Sequence, residues 1–171
     1  MRHKGRGTRR RGFTLIEAAV ATIVIGLGAT ALLTAVASGT RTNAAGRSVT
    51  QAVLLAQEIR EWTLKLPFSD PDEGDAANPP GPDGADPQVF VDDLDDLMNV
   101  TYCPPRDGQG QPVADMTGWQ QAITLTWRAP ADLTTAVTPG TSDTIHVQVD
   151  ISHNGLDVLT TKWLVIEKKQ R

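Results

Sequence analysis

Residues 18–40 run without a single charged side chain and consist mostly of Ala, Val, Ile and Leu. At about 1.5 Å per residue, a helix of that length crosses roughly 30 Å, the thickness of a bilayer's hydrocarbon layer. Gly26, Gly28, Thr22 and Thr30 lower helix propensity in water. In a membrane helix such small residues are tolerated and let neighbouring backbones come close.

The helical pattern continues past this stretch. Beyond Arg41 it turns amphipathic: Ala52, Leu55, Ile59, Trp62 and Leu66 recur at steps of three and four, while Gln51, Glu58, Arg60, Glu61 and Lys65 fall on other faces. Pro67 ends the pattern, because proline has no amide hydrogen and clashes with the preceding turn. A single helix over 13–66 would be roughly 80 Å long, far beyond ordinary globular helices. Gly39 and Gly46 are its weak points.

The remainder reads as a small α+β head. Residues 67–88 are dominated by Pro, Gly and Asp and predict an irregular surface loop. Residues 89–91 read as a short strand, and 92–99 as a short helix or turn with Leu94 and Leu97 facing inward. A second loop follows through Gly110. Ile123, Leu125 and Trp127 then alternate with Thr124, Thr126 and Arg128, and Ile145, Val147, Val149 and Ile151 with His146, Gln148, Asp150 and Ser152. A third strand covers 156–166. Asn154-Gly155 between the last two is a strong hairpin signal, since both turn positions need positive φ. The expected fold is a long N-terminal helix packed on a small antiparallel sheet with one buried face. Its segments are 1–12 (basic leader, without order), 13–40 (apolar half of the helix), 41–66 (amphipathic half) and 67–171 (head).

Charge is distributed unevenly. Six of the 16 basic residues (Arg2, Lys4, Arg6, Arg9, Arg10, Arg11) precede Gly12 and no acid does, so removing the leader leaves 10 basic residues against 20 acids, a net charge of −10. Such a product repels nucleic-acid phosphates unless it keeps a basic patch, and Lys162, Lys168, Lys169 and Arg171 read as a solvated tail. Cys103 is the one cysteine, which excludes an intrachain disulfide and a cysteine-based zinc site; it reads as a small buried residue. The three histidines (His3, His146, His153) form no catalytic spacing with Ser, Asp or Glu, so an enzyme is not expected. Trp62, Trp119, Trp127 and Trp163 read as core residues between sheet and helix.

Arg10-Arg11-Gly12-Phe13-Thr14-Leu15-Ile16-Glu17 resembles the processing site of type IV prepilins and type II secretion pseudopilins. The resemblance is close over residues 9–38. It implies cleavage between Gly12 and Phe13 by a membrane-embedded aspartyl prepilin peptidase, which then methylates the Phe13 amine using S-adenosylmethionine. It also implies that Glu17, fifth in the mature chain, pairs with the Phe13 amine of a neighbouring subunit during assembly. The layout of helix, loop and sheet matches the pilin-like fold. The long apolar stretch and compact head are similar to the minor pilin V and pseudopilin I groups. The implied partners are the prepilin peptidase, other pilin or pseudopilin subunits, inner-membrane lipid and a pilus assembly platform. The implied location is the inner membrane, with the head in the periplasm, and then the filament.

Physical chemistry gives these residues sense. Leader charges hold the N-terminus in the cytoplasm. Glycine before the cut leaves the backbone accessible. An ionised carboxylate inside an apolar segment is costly and needs a partner. Other readings of the same residues are a plain single-span anchor, and a twin-arginine or Sec signal cut near Ala37, at Ala35-Val36-Ala37, releasing a soluble binding domain. The latter sits poorly with a charge just inside the apolar run and a helical pattern that continues past the cut. A DNA-uptake pilin is a further reading, opposed by the acidic mature charge. No cofactor is expected. Asp70, Asp72 and Asp75, with the run Asp92, Asp93, Asp95 and Asp96, could gather oxygen ligands for Ca²⁺, as some pseudopilins do, but no glutamate stands at the closing position of an EF-hand loop, and a solvated acidic loop fits better.

Overall fold

The structure, a computed structural model, describes residues 12–70, 79–82 and 86–168. The basic leader, Asp72, Asp75 and the last three residues lie outside the described residues.

A single helix, α1 (Leu15–Lys65), runs unbroken through Gly39 and Gly46. It contributes to two structural units, one ending at Ala45 and the other beginning at Gly46. In the first unit every described side chain of the helix is exposed, including Ile16, Ile23, Ile25, Leu27, Leu32 and Leu33. α1 is long and apolar enough to cross a membrane by length and composition. Its threonine hydroxyls do not need outside partners: Thr22 donates to the Ala18 carbonyl (2.8 Å), Thr34 to Thr30 (2.9 Å) and Thr42 to Ser38 (3.0 Å). Such back-bonding satisfies the hydroxyls within the helix itself.

In the second unit the helix is amphipathic as its spacing predicts. Ala52, Leu55, Ala56, Ile59, Trp62 and Thr63 are buried, and Leu66 and Phe68 pack at the margin. The helix stops at Lys65, two residues before Pro67. A five-stranded antiparallel sheet covers the buried stripe: β1 (Thr101–Tyr102), β2 (Trp119–Ala129), β3 (Asp132–Ala136), β4 (Thr144–His153) and β5 (Leu156–Ile166), in the order β1-β2-β4-β5, with β3 folded back on β2. Ile123, Leu125 and Trp127 pair with Val149, Val147 and Ile145, and Val147 and Ile145 pair in turn with Trp163 and Val165. These rows form the core with Ile59, Trp62, Leu94, Leu97 and Tyr102. Asn154 (φ 52°) and Gly155 (φ 76°) make the hairpin turn between β4 and β5. The result is a pilin-like α+β architecture.

Two polar links fix the helix to the sheet. The Gln121 side chain, fully buried on β2, donates to the carbonyls of Leu55 (2.9 Å) and Arg106 (3.1 Å) and accepts from the Arg106 amide (2.6 Å). The Trp163 indole donates to the Thr63 hydroxyl (3.2 Å), which itself donates to the Arg60 carbonyl (2.9 Å). On the helix's polar side, Glu58 accepts from the Gly108 amide (2.6 Å) and Lys65 donates to the Gly108 carbonyl (2.8 Å), clasping the loop before β2. That loop presses Gly110, at φ 75°, against the Trp62 ring, where a Cβ would come within 2.6 Å. Only glycine satisfies both conditions.

Three expectations need correction. Residues 89–91 are not a strand: the amides of Val89 (2.8 Å) and Phe90 (3.0 Å) donate to the Asp86 carbonyl, and the Asp86 carboxylate takes the Gln88 amide (2.9 Å), curling the segment into turns. Cys103 is exposed rather than buried, because Tyr102 takes the inward position beside it. The sheet also has two strands beyond the three expected, β1 and β3.

Candidate processing and assembly site

Gly12, Phe13 and Thr14 precede α1 in non-helical backbone. Phe13 is 77% exposed, and among the described residues a Cβ built on Gly12 would meet nothing within 4 Å. No described side chain crowds the Gly12–Phe13 peptide bond. Arg10 and Arg11 lie outside the described residues.

The helix begins with a hydrogen-bonded box. The Glu17 amide donates to the Thr14 hydroxyl at 3.3 Å. In return, the Thr14 amide and hydroxyl each donate to the Glu17 carboxylate at 3.5 Å. The first regular helical bond runs from the Ala18 amide to the Thr14 carbonyl (3.1 Å). This is the reciprocal arrangement of a threonine at the N-cap and a glutamate three residues on, which satisfies donors that the first turn leaves open. A negative charge there also suits the positive end of the helix dipole. Glu17 is exposed among Ile16, Val20 and Val24, so its only described polar partner is Thr14. Sequence reasoning found Glu17 and passed over Thr14, although the Thr-x-x-Glu spacing was visible.

The acidic run in the head serves backbone geometry. Asp93 accepts from the amides of Asp95 (2.9 Å) and Asp96 (3.2 Å), which starts the 3₁₀ turn Asp95–Leu97, and Asp96 accepts from the Asp92 amide (3.0 Å). Asp93 and Asp96 are buried, and the second oxygen of Asp93 has no partner among the described residues. Burial, with the charges of Asp95 and Asp96 adding, pushes Asp93 up to about 7. Burial raises Asp92 and Asp95 too, each helped by Asp70. Among the described residues no group of three or more His, Cys, Asp or Glu side chains is placed to hold a metal ion. His153 stacks on Trp119 (4.4 Å between centroids), and His146 is held below its usual range by burial and by the charges of Arg128 and Lys162.

Residues 7–33 match the family model of the prokaryotic N-terminal methylation motif, the signature of prepilins and pseudopilins. The match covers Arg9, Arg10 and Arg11, the Gly12–Phe13 bond, the capping box and the first turns of exposed helix. No curated protein and no solved structure matches the chain significantly. The motif, whose family is structural rather than enzymatic, supports a type IV pilin-like or pseudopilin-type subunit and suggests prepilin peptidase and other pilin subunits as partners. The apolar helix carrying it is consistent with a membrane-anchored pilin.

Proposed function

We propose that this chain is a structural filament subunit, a minor pilin or pseudopilin of a type IV pilus or type II secretion machine. Prepilin peptidase cuts it after Gly12 and methylates Phe13. The observation that carries this reading is a conjunction. A methylation motif at 7–33 contains the Gly12–Phe13 bond and the start of a helix that, among the described residues, buries none of its apolar side chains before Ala45. Apolar surface on that scale needs lipid first and neighbouring helices afterwards.

Glu17 then gains its purpose. In the bilayer a lone carboxylate is expensive, and the freshly exposed Phe13 amine of an adjoining subunit offers the opposite charge. Pairing them neutralises two poorly solvated groups and fixes the axial step between subunits. The head stays on the periplasmic side, opposite the arginine-rich leader. The unbroken run of α1 through residues 35–38 speaks against release of a soluble domain near Ala37, since such a cut would divide one helix.

Glu17→Ala tests this reading. Membrane insertion should be undiminished, because the change removes a charge from the bilayer, while the amount of subunit recovered in sheared filaments should drop at least tenfold. Equal recovery of mutant and wild type would show the pairing to be wrong.

A further inference from the structure

β5 ends the sheet on one side, and among the described residues no strand lies beyond it. One bond shows which way its backbone groups point. The Glu167 amide donates to the Asp143 carbonyl (2.9 Å), one step past the pair Ile166–Thr144. Bonds of an antiparallel ladder fall on alternate residues, so Leu159, Thr161, Trp163 and Val165 turn their amides and carbonyls to β4. Thr160, Lys162, Leu164 and Ile166 turn theirs away from the sheet. The side chains here are apolar on both faces: Trp163 and Val165 are half-buried against the core, while Leu164 and Ile166 are exposed on the other side. The opposite edge is blunted. There β1 is two residues long and β3 breaks register against β2. The Asp132 carboxylate accepts from the Thr134 amide (3.0 Å), and the Arg128 guanidinium donates to the Thr134 carbonyl (2.9 Å).

We propose that the outward edge of β5, residues 160–166, is a docking edge to which a neighbouring filament subunit adds an extended strand, apolar on both faces and carrying a carboxylate opposite Lys162. The inference rests on the filament-subunit reading above and names the partner chemistry that the head requires. Three features specify the occupant. Backbone donors and acceptors at every second residue match another extended backbone, at the spacing of about 4.8 Å between neighbouring strands. An added strand that is apolar on both faces covers Leu164 and Ile166 on one side. On the other it covers Trp163, which α1 engages only through the indole bond to Thr63 (3.2 Å) and leaves half-exposed. Lys162 is the single charged residue between Asp157 and Glu167, so an opposing acid is its complement across the strands. Free edges of this length are ordinarily guarded by proline, a bulge or several charges. β5 has no proline, its register shift falls before Leu159, and its guard is one lysine. A strand bearing a carboxylate turns that guard into a point of recognition.

Residue-resolved amide hydrogen exchange tests this without altering the edge. The isotopically labelled full-length chain is compared in detergent micelles and in sheared filaments assembled by the native machinery. In micelles the amides of Thr161, Trp163 and Val165 should be protected, and those of Thr160, Lys162, Leu164 and Ile166 should exchange freely. In filaments the second set should slow about tenfold or more. Equal exchange in the two states would overturn the proposal. Three variants separate backbone, side chain and charge. Leu164→Pro removes one outward amide and spares the ladder to β4, as proline does at an edge, whereas Leu164→Thr keeps the amide. Both should retain the tryptophan-reported unfolding transition and the cut after Gly12. Recovery in sheared filaments should fall about tenfold for Leu164→Pro, less than threefold for Leu164→Thr and several-fold for Lys162→Glu. Wild-type recovery of Leu164→Pro or Lys162→Glu, or equal losses for the proline and threonine variants, would sink the docking edge while leaving the subunit reading in place. Should Leu164→Pro unfold the head, the exchange comparison decides alone. A wild-type chain that keeps its leader and never enters filaments would overturn both.

Discussion

Gln121 and Asp93 are polar side chains inside an apolar core, and the backbone around each explains its presence. The Gln121 amide answers three main-chain groups contributed by α1 and the loop before β2. Gln121→Leu keeps the volume and removes every one of these partners, so it should cost about 2 kcal/mol, read by denaturant unfolding in detergent. All four tryptophans lie beyond Gly46, which makes their fluorescence a specific report on that unit. Asp93 makes stability depend on pH. Its folded-state value, about 7, stands above the ordinary 3.8. The native state therefore holds the proton more tightly than the unfolded chain between these values, and stability falls as pH rises from about 4 to 7 and is flat beyond. Asp93→Asn, which cannot ionise, should flatten this part of the melting-temperature profile, and a profile as steep as the wild type's would contradict the assignment. Neither residue could be found from hydrophobic spacing, which treats a polar residue at a core position as an error. Glu17 drew notice for the opposite reason, as the one acid at the edge of an uncharged run.

Among the elements, those with strong periodicity were legible and those without it were not. The part of α1 beyond Gly46, β2 and β4 each bury one face, and β5 half-buries one, so the apolar rhythm in the sequence is the rhythm of the contact surface. β3 is exposed at all five positions and has no rhythm to read, and β1 is two residues long. Residues 89–91 misled because a β-branched, aromatic run was captured by Asp86. The capping box went unread, although Thr14 and Glu17 stand at the Thr-x-x-Glu spacing. The two parts of α1 should answer mutation differently. Ile59→Ala, at a fully buried site, should lower unfolding stability by about 3 kcal/mol. Ile23→Ala, at a site 62% exposed, should leave the tryptophan-reported transition unchanged and reduce recovery in filaments instead. A large stability loss for Ile23→Ala would mean that this stretch is covered by its own chain.

On the scale of the whole molecule, the sequence carries three kinds of surface in order: basic residues up to Arg11, an apolar helix, and an acidic head. Each suits one stage of the proposed life of the subunit, namely orientation in the membrane, storage in lipid and then in the filament, and solubility outside. In the proposed life the transition between stages depends on one covalent event, the loss of the leader, which would turn a chain of net charge −4 into one of −10 and create the amine that Glu17 is proposed to pair with. Mass spectrometry of the chain purified from cells reads that event directly. The account predicts a mature N-terminus at Phe13, heavier by one methyl group. A chain still beginning with its arginine-rich residues, or one beginning at Ser38, would contradict it.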